Sequence, residues 1–293
     1  MQHLISTNNL TDIQIRNLIE DTMCFKRQRP AQLLKNILLI TLFFEPSTRT
    51  RSSFEIAAKR LGASVVHLDS LNSSAKKGEG LEDTFANLCA MEPDGVIIRH
   101  KDNDAPVLLA RMELTSVINA GAGNYAHPTQ ALLDLFTIYE HFDGEIEGKT
   151  IAIVGDIANS RVANSSIRLL TRMGLHVLLV APKPFMPQKR EFPQYEYLEE
   201  VIDSVDIIMS LRAQLERHTK PIFDNYATYA NHYCITKERI RDRNILLLHP
   251  GPVMRNIDIS DEMLKDPRCK VLTQVKNGVF MRMAILKLLL LDS

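Results

Sequence analysis

Five consecutive polar residues, Ser47, Thr48, Arg49, Thr50 and Arg51, follow an apolar run in the segment "FFEPSTRTRSSFE". Hydroxyl and guanidinium groups are good hydrogen-bond donors for phosphate. Apolar residues resume afterwards at helical spacing, so the cluster falls where a strand becomes a helix, and a helix N-terminus favours an anion. Taken alone, the cluster predicts either an anion site or an ordinary capped helix with a basic turn.

Two further groups of donors occur in the same half of the chain. Arg99 and His100 end one apolar run, and the segment "NAGAGNYAHPTQ" ends another with His127, Thr129 and Gln130. His127 and Gln130 are three residues apart and therefore share one face of a helix start. Three strand ends thus offer donors to one crevice, which favours the anion site over the capped helix.

The second half of the chain places arginines after other apolar runs. Arg161 follows "IAIVGDIANS", and Arg212 and Gln214 follow "DIIMSL". The segment "LLLHPGPVMR" adds a rigid turn that contains Gly251 and Pro252. Each arginine by itself is more typical of a surface salt bridge, but two at strand ends suit a ligand with two carboxylates.

Other kinds of site have weak support in the sequence. Gly155 ends a strand-like run without the GxGxxG pattern of dinucleotide sites. We find no nucleophile with a clear base, no pair of acid and base carboxylates and no metal-type spacing among the ligating residues. The residues therefore predict group transfer by positioning and polarisation, without a covalent intermediate.

The elements that position these residues follow from hydropathy patterns. Runs that are apolar throughout predict strands buried on both faces of a parallel sheet, at 37–44, 64–68, 95–98, 116–119, 150–154, 175–180, 205–209 and 245–248. Helical spacing predicts helices at 11–25, 51–60, 81–91, 128–141, 161–173 and 278–291. This alternation predicts α/β architecture, in which sites lie beyond the carboxyl ends of the strands.

Polar segments at 69–80 and 211–233 argue for two open, doubly wound sheets rather than one barrel. We predict a first domain of residues 1–134 completed by a C-terminal helix at 277–293, and a second domain of residues 135–276.

Composition limits the class of protein and its partners. The 293 residues carry 35 basic and 35 acidic side chains, which gives no sign of a nucleic-acid or membrane partner. Four scattered cysteines suit a reducing compartment, and the N-terminus lacks the pattern of a signal peptide. These features predict a soluble cytoplasmic protein.

Eight segments, in order along the chain, resemble the aspartate carbamoyltransferase family. They are "FFEPSTRTRSSFE", "KKGE", "VIIRH", "HPTQALLDLFTIYE", "VGDIANSR", "LRAQLERH", "HPGPVMR" and "QVKNGVFMRMAIL". The resemblance implies transfer of the carbamoyl group of carbamoyl phosphate to L-aspartate, the second step of pyrimidine biosynthesis, with no metal or organic cofactor.

The same resemblance implies roles for individual residues around carbamoyl phosphate. Residues 47–50 would hold the phosphate, mainly through the helix N-terminus and Arg49. Thr50, Arg99 and His127 would face the carbamoyl oxygen. Gln130 and the 250–252 turn, through a backbone carbonyl of Pro250 or Gly251, would bind the carbamoyl NH2. Arg51 would brace the loop against an acidic side chain.

Around aspartate, the resemblance implies that Arg161 pairs with the α-carboxylate and that Arg212 and Gln214 hold the β-carboxylate. It also implies a homotrimer in which Ser73 and Lys77 reach a neighbouring subunit's site, although the residues of "SSAKKGEG" by themselves indicate a solvated loop. The sequence leaves undecided whether the trimer joins a larger assembly with regulatory chains or with dihydroorotase.

Three rival functions fit the sequence less well. Ornithine carbamoyltransferases typically have cysteine at the positions of Thr129 and Gly251. A catalytically idle scaffold does not explain the intact set of arginines, and a dehydrogenase lacks its glycine pattern. Gly80, Ala122 and Val162 depart from the common family pattern. Gly80 and Ala122 lie outside the contacts named above. Val162, next to Arg161, stands where some members have threonine and removes one possible hydroxyl contact to aspartate.

Overall fold

The computed structural model describes residues 2–28, 30, 32–69, 79–215 and 223–291. They contain nine α-helices: α1 (Asp12–Arg27), α2 (Thr48–Arg60), α3 (Leu81–Cys89), α4 (Ala105–Ala110), α5 (Pro128–His141), α6 (Arg161–Arg172), α7 (Tyr226–Tyr233), α8 (Lys237–Ile240) and α9 (Val271–Leu290). The same residues contain nine strands: β1 (Leu38–Phe43), β2 (Ser64–Asp69), β3 (Gly95–His100), β4 (Ser116–Ala122), β5 (Thr150–Val154), β6 (His176–Val180), β7 (Gln194–Tyr195), β8 (Ile207–Ser210) and β9 (Leu246–Leu248). Within these ranges, no helix combines the length and hydropathy needed to cross a bilayer.

The chain divides into two compact units, one of residues Met1–Phe136 and Val275–Ser293 and the other of Thr137–Gln274. The first contains a four-stranded sheet with the order β2-β1-β3-β4, and the second a five-stranded sheet with the order β7-β6-β5-β8-β9. Neighbouring strands in both sheets run parallel. The prediction of two parallel-sheet α/β domains is therefore confirmed.

Both sheets are covered on two faces, which explains why their strands are apolar throughout. In the first unit, Ile40, Val96 and Val117 from three adjacent strands pack with Phe85 and Leu109 from helices. In the second unit, residues 151–154 of β5 are all buried. Burying both faces removes the alternation expected of a half-exposed strand.

The C-terminal helix packs on the first unit, as predicted. Lys287 donates to Asp21 of α1 at 2.7 and 2.8 Å, and Lys26 donates to Asn277 at 2.8 Å. The helix begins at Val271, seven residues before the predicted start, because its first two turns are partly exposed and lack a continuous apolar face.

Some elements were not predicted. The two-residue strand β7 is too short to produce an apolar run, and the four-residue helix α8 is too short to show helical spacing. Helices α4 and α7 were missed as well, at six and eight residues.

Candidate functional site

The first group of site residues lies at the N-terminus of α2, directly after β1. Ser47 is the N-cap residue and Thr48 begins the helix. Thr48 and Arg49 are exposed, Ser47 is half-buried and Thr50 is buried. Among the described residues, no first-turn N–H group donates to the Ser47 side chain. The helix N-terminus thus presents backbone donors and hydroxyls together, as an anion site requires.

The two arginines of this segment have different surroundings. Arg49 is exposed overall, but neighbouring protein atoms partly desolvate its guanidinium and lower its pKa from the ordinary arginine value. Arg51 lies 3.6 Å from the Glu55 carboxylate one turn along α2, and its Nη1 lies 2.7 Å from His67 Nε2. The expected acidic partner of Arg51 is therefore present. Arg49 keeps a charge that a bound anion would stabilise.

Arg99 lies at the end of β3, beside the segment that follows β1. The register pairs Phe43 with Arg99, and the Phe44 N–H donates to the Arg99 carbonyl at 2.9 Å. The Arg99 side chain is 12% exposed, and its guanidinium lies 3.4 Å from the Glu45 carboxylate and 3.4 Å from the carbonyl of Ala120. Glu45 therefore offsets the charge of Arg99 and holds it against the β1 end of the sheet.

His127 and Gln130 lie at the start of α5, which follows β4. Both side chains are buried, at 5% and 8% exposure. The His127 carbonyl accepts the first helical hydrogen bonds, from the N–H groups of Gln130 and Ala131 at 3.1 and 3.2 Å. Because β1, β3 and β4 are neighbours in the sheet, the structure brings residues 47–50, Arg99 and His127 to one edge of the first unit.

In the second unit, Arg161 begins α6 after the turn that follows β5. Gly155 starts this turn with φ of +121°, and a Cβ there would lie 2.7 Å from the Leu211 carbonyl oxygen. Ser160 caps the helix by accepting from the Ala163 N–H at 3.1 Å. The turn therefore needs glycine at position 155 for its own packing, which explains a glycine that is not part of a dinucleotide pattern.

Arg212 and Gln214 follow β8, the neighbour of β5 in the second sheet. Both are half-buried, on either side of the buried Ala213. The Gln214 amide donates to the Asn159 carbonyl at 3.4 Å, in the turn that precedes Arg161. The two segments that carry Arg161 and Arg212 are thus in contact, as a shared dicarboxylate site requires.

The turn after β9 is held by a buried pair, His249 and Asp258. His249 Nδ1 accepts from the Gly251 N–H at 2.8 Å, so the ring donates from Nε2 to Asp258 Oδ2 at 3.2 Å. Oδ2 also accepts from the Met254 N–H at 2.8 Å, and Oδ1 accepts from the Ala213 N–H at 3.2 Å. Asp258 therefore ties the turn that contains Gly251 and Pro252 to the segment that carries Arg212.

The structure brings the sequence-predicted residues together as two groups, one in each unit. Ser73 and Lys77 lie outside the described residues. Sequence reasoning missed Glu45 and Asp134, which contact Arg99 and Gln130, and Asp258, which contacts Ala213 between Arg212 and Gln214. Only Asp134 had a local signal, because it follows Gln130 by four residues on a predicted helix.

Comparison with protein families gives matches across almost the whole chain. The model described as aspartate/ornithine carbamoyltransferase, carbamoyl-P binding domain, matches residues 2–140. The model described as aspartate/ornithine carbamoyltransferase, Asp/Orn binding domain, matches residues 147–289.

Comparison with individual proteins gives matches over the full length of the chain. The chain is 76% identical to the aspartate carbamoyltransferase catalytic subunit of Sulfurovum sp. (strain NBC37-1), over 100% of this chain and 99% of the relative. It is 57% identical to that of Aliarcobacter butzleri (strain RM4018), with the same coverage.

Among solved structures, the catalytic subunit of M. jannaschii aspartate transcarbamoylase superposes with a TM-score of 0.90 at 33% identity, covering 100% of this chain and 99% of that one. The Trypanosoma cruzi aspartate transcarbamoylase in complex with carbamoyl phosphate and aspartate superposes with a TM-score of 0.88 at 32% identity, covering 97% and 95% of the two chains. With matches of this extent in sequence and fold, the chain belongs to the aspartate/ornithine carbamoyltransferase family.

Proposed function

We propose that this chain transfers the carbamoyl group of carbamoyl phosphate to the amine of L-aspartate. The amine nitrogen attacks the carbonyl carbon, the bond from that carbon to the phosphate oxygen breaks, and phosphate leaves. The departing phosphate takes the amine proton, so the reaction balances as N-carbamoyl-L-aspartate and phosphate without a protein base. The relatives named aspartate carbamoyltransferase support this choice, as does the T. cruzi structure with both substrates.

The observation that carries the proposal is the contact between the segments of Arg161 and Arg212 in the second unit. Two guanidinium groups there suit an acceptor with two carboxylates, because each carboxylate can take a bidentate pair. The cationic side chain of ornithine would face positive charge in the same place. Aspartate is therefore favoured over ornithine as the acceptor.

In the first unit, residues 47–50 bind the phosphate through N–H groups, hydroxyls and Arg49. Thr50, Arg99 and His127 stabilise the negative charge that develops on the carbamoyl oxygen, and preorganised donors of this kind lower the barrier strongly. Glu45 supports this role by holding Arg99 in place.

Gln130 binds the carbamoyl NH2, and Gly251 and Pro252 stay predicted contacts of carbamoyl phosphate. Arg161 binds the aspartate α-carboxylate, and Arg212 with Gln214 binds the β-carboxylate. Residues 1–134 with 277–293 act as the carbamoyl phosphate domain, and residues 135–276 as the aspartate domain.

The resemblance also supports a cytoplasmic homotrimer in the pyrimidine pathway. Ser73 and Lys77 of a neighbouring subunit complete each site in this proposal. Regulatory chains or dihydroorotase would add to this trimer without changing the reaction.

The test is an assay for carbamoylated product with aspartate and with ornithine as acceptor, combined with light scattering for assembly size. We expect product with aspartate only, and a particle of three chains. Carbamoylation of ornithine, or no product with either acceptor, would overturn the proposed reaction. A monomeric particle with full activity would overturn the shared site alone.

A further inference from the structure

A line of buried polar groups lies behind Gln130 in the first unit. The Gln130 Nε2 donates to Asp134 Oδ1 at 2.9 Å, one turn along α5. Asp134 is fully buried, and the guanidinium of Arg282, from α9, is buried with it. None of the substrate contacts proposed above involves Asp134 or Arg282.

The chemistry of this contact determines which way the Gln130 amide faces. A side-chain amide has a donor edge and an acceptor edge of nearly equal shape, so it can usually turn over. An ionised carboxylate only accepts hydrogen bonds, so the edge next to Asp134 must be the NH2. The Oε1 atom of Gln130 is then presented as an acceptor on the opposite edge.

Arg282 places a positive charge in the same buried region as Asp134. Its Nη1 donates to the Gly278 carbonyl at 3.0 Å, its Nη2 donates to Thr129 Oγ1 at 3.3 Å, and its guanidinium lies 5.1 Å from the centre of the Phe54 ring. Burial lowers the pKa of Arg282 to about 10, and attraction to Asp134 opposes that shift. Arg282 therefore stays charged at neutral pH, and its charge and that of Asp134 attract each other within the buried region.

Glycine at position 278 leaves space for this guanidinium. A Cβ there would lie 2.6 Å from Arg282 Nη1 and 3.0 Å from Leu133 Cδ2. A side chain at 278 would therefore push the guanidinium away from the Gly278 carbonyl and from Thr129. The helix start at Thr129 and Gln130 is thus held from behind by α9.

We propose that Asp134 is a positioning residue that fixes the Gln130 amide with its oxygen toward the NH2 of the carbamoyl group. The inference rests on the proposed function, since it assigns an orientation to a residue already taken to bind that NH2. The fixed acceptor also selects the ligand. Carbamoyl phosphate offers an N–H donor there, whereas acetyl phosphate, of nearly the same shape, offers a methyl group that leaves Oε1 unpaired.

The direct test compares Asp134→Asn with the wild-type protein by calorimetric titration of carbamoyl phosphate and of acetyl phosphate. An asparagine at 134 offers a donor as well as an acceptor, so the Gln130 amide can turn over. We expect the variant to bind carbamoyl phosphate about tenfold more weakly, the effect of one lost hydrogen bond, and acetyl phosphate almost unchanged. An equal loss for both ligands, or no loss, would show that Asp134 is only a structural brace.

A double-mutant cycle with Gln130→Ala separates positioning from general loosening. In the Gln130→Ala background, Asp134→Asn should not change the ratio of the two affinities further, because the amide that it orients is gone. A further fall in that ratio would contradict the inference. Asp266→Asn is the control, since it replaces a different buried acid, which pairs with Arg268 in the second unit, and should leave the ratio as in wild type.

Two measurements keep the test decisive if the single variant fails to fold. The double variant Asp134→Asn/Arg282→Met removes both buried charges and should lose the same preference for carbamoyl phosphate. A crystal structure of the wild-type protein with carbamoyl phosphate should keep Gln130 against Asp134, with the other amide atom within hydrogen-bond distance of the carbamoyl nitrogen. A Gln130 amide turned away from Asp134 in that complex would overturn the inference.

The titrations and the crystal structure test the positioning role separately from the proposed reaction, because they use carbamoyl phosphate or acetyl phosphate without aspartate. If wild type binds carbamoyl phosphate with the expected preference but forms no carbamoyl-aspartate, the reaction assignment fails and the positioning role stands. If product forms and Asp134→Asn keeps the preference, only the positioning role fails.

Discussion

Replacing Asp258 by asparagine should weaken both the stability of the second unit and its affinity for aspartate. The wild-type carboxylate is fully buried and accepts three hydrogen bonds: from Ala213 N–H at 3.2 Å, from Met254 N–H at 2.8 Å and from His249 Nε2 at 3.2 Å. Two of these reach Oδ2 and one reaches Oδ1. An asparagine has nearly the same shape but only one acceptor oxygen.

The expected loss of stability follows from the number of acceptor oxygens at position 258. The better orientation places the asparagine oxygen toward Met254 and His249, and its NH2 then faces the Ala213 N–H. Two donors facing each other in a buried place cost about 1–3 kcal/mol. His249 cannot relieve this by changing its tautomer, because its Nδ1 already accepts from Gly251. At about 2–4 °C per kcal/mol for domains of this size, the Tm should fall by about 2–12 °C.

The functional part of the prediction comes from the position of Ala213 between Arg212 and Gln214. Displacement of its N–H should move both side chains, so KM for aspartate should rise while KM for carbamoyl phosphate stays near the wild-type value. Thermal unfolding and steady-state kinetics with each substrate varied in turn measure the two effects. The control is Asp261→Asn, in the same loop, whose carboxylate is about half exposed and pairs with Arg255 at 2.7 Å.

The control should change stability by no more than about 1 kcal/mol, because exposed ion pairs contribute little. An Asp258→Asn protein with unchanged Tm and unchanged KM for aspartate would refute the reasoning. A lower Tm with unchanged KM would show that the pair supports the fold but not the position of Arg212.

Four further predictions follow from the described contacts and the proposed roles. Arg49→Ala should abolish carbamoyl phosphate binding in calorimetry, and unchanged affinity would remove the phosphate assignment. Arg212→Ala should mainly raise KM for aspartate, and normal saturation by aspartate would contradict the carboxylate role. Mixing inactive Lys77→Ala trimers with inactive Arg49→Ala trimers should restore some activity after subunit exchange, whereas complete absence of recovery would count against shared sites. Arg268 donates to Asp266 at 2.8 and 2.9 Å and lowers the pKa of that carboxyl from 3.8 to about 2. The pair's stabilisation is therefore present above the unfolded pKa and is lost as the pH falls toward 2. Asp266→Asn should cost about 1–3 kcal/mol at pH 7 and less at pH 3, measured by urea denaturation, and an equal difference at both pH values would exclude the ionised pair as the cause.

Much of the fold could be predicted because its signals are local. Each strand of both sheets except β7 coincides with an apolar run, and the starts of α5 and α6 follow from residues close in sequence. Polar clusters at strand ends could be assigned to one edge of a sheet, because parallel strands place their carboxyl ends together. The residues that would meet substrate were therefore visible as residue types at predictable places.

The partners of those residues could not be predicted in the same way. Glu45 is separated from Arg99 by 54 positions, and Thr129 from Arg282 by 153. Nothing in the spacing of such residues indicates that they touch, because strand order and helix packing decide which distant segments become neighbours. Asp258 is a similar case, since its role depends on the adjacency of β8 and β9.

The amino-acid sequence by itself determined the α/β class, the strand ends that carry donors and the likeness to a carbamoyltransferase family. Only the tertiary structure decided that Glu45 pairs with Arg99, that Asp258 joins two loops and that Arg282 supports the start of α5. The physical reason is that burial makes an unpaired polar group costly, so each buried charge must find a partner in space. Which partner it finds depends on the packing of elements that are far apart in the chain.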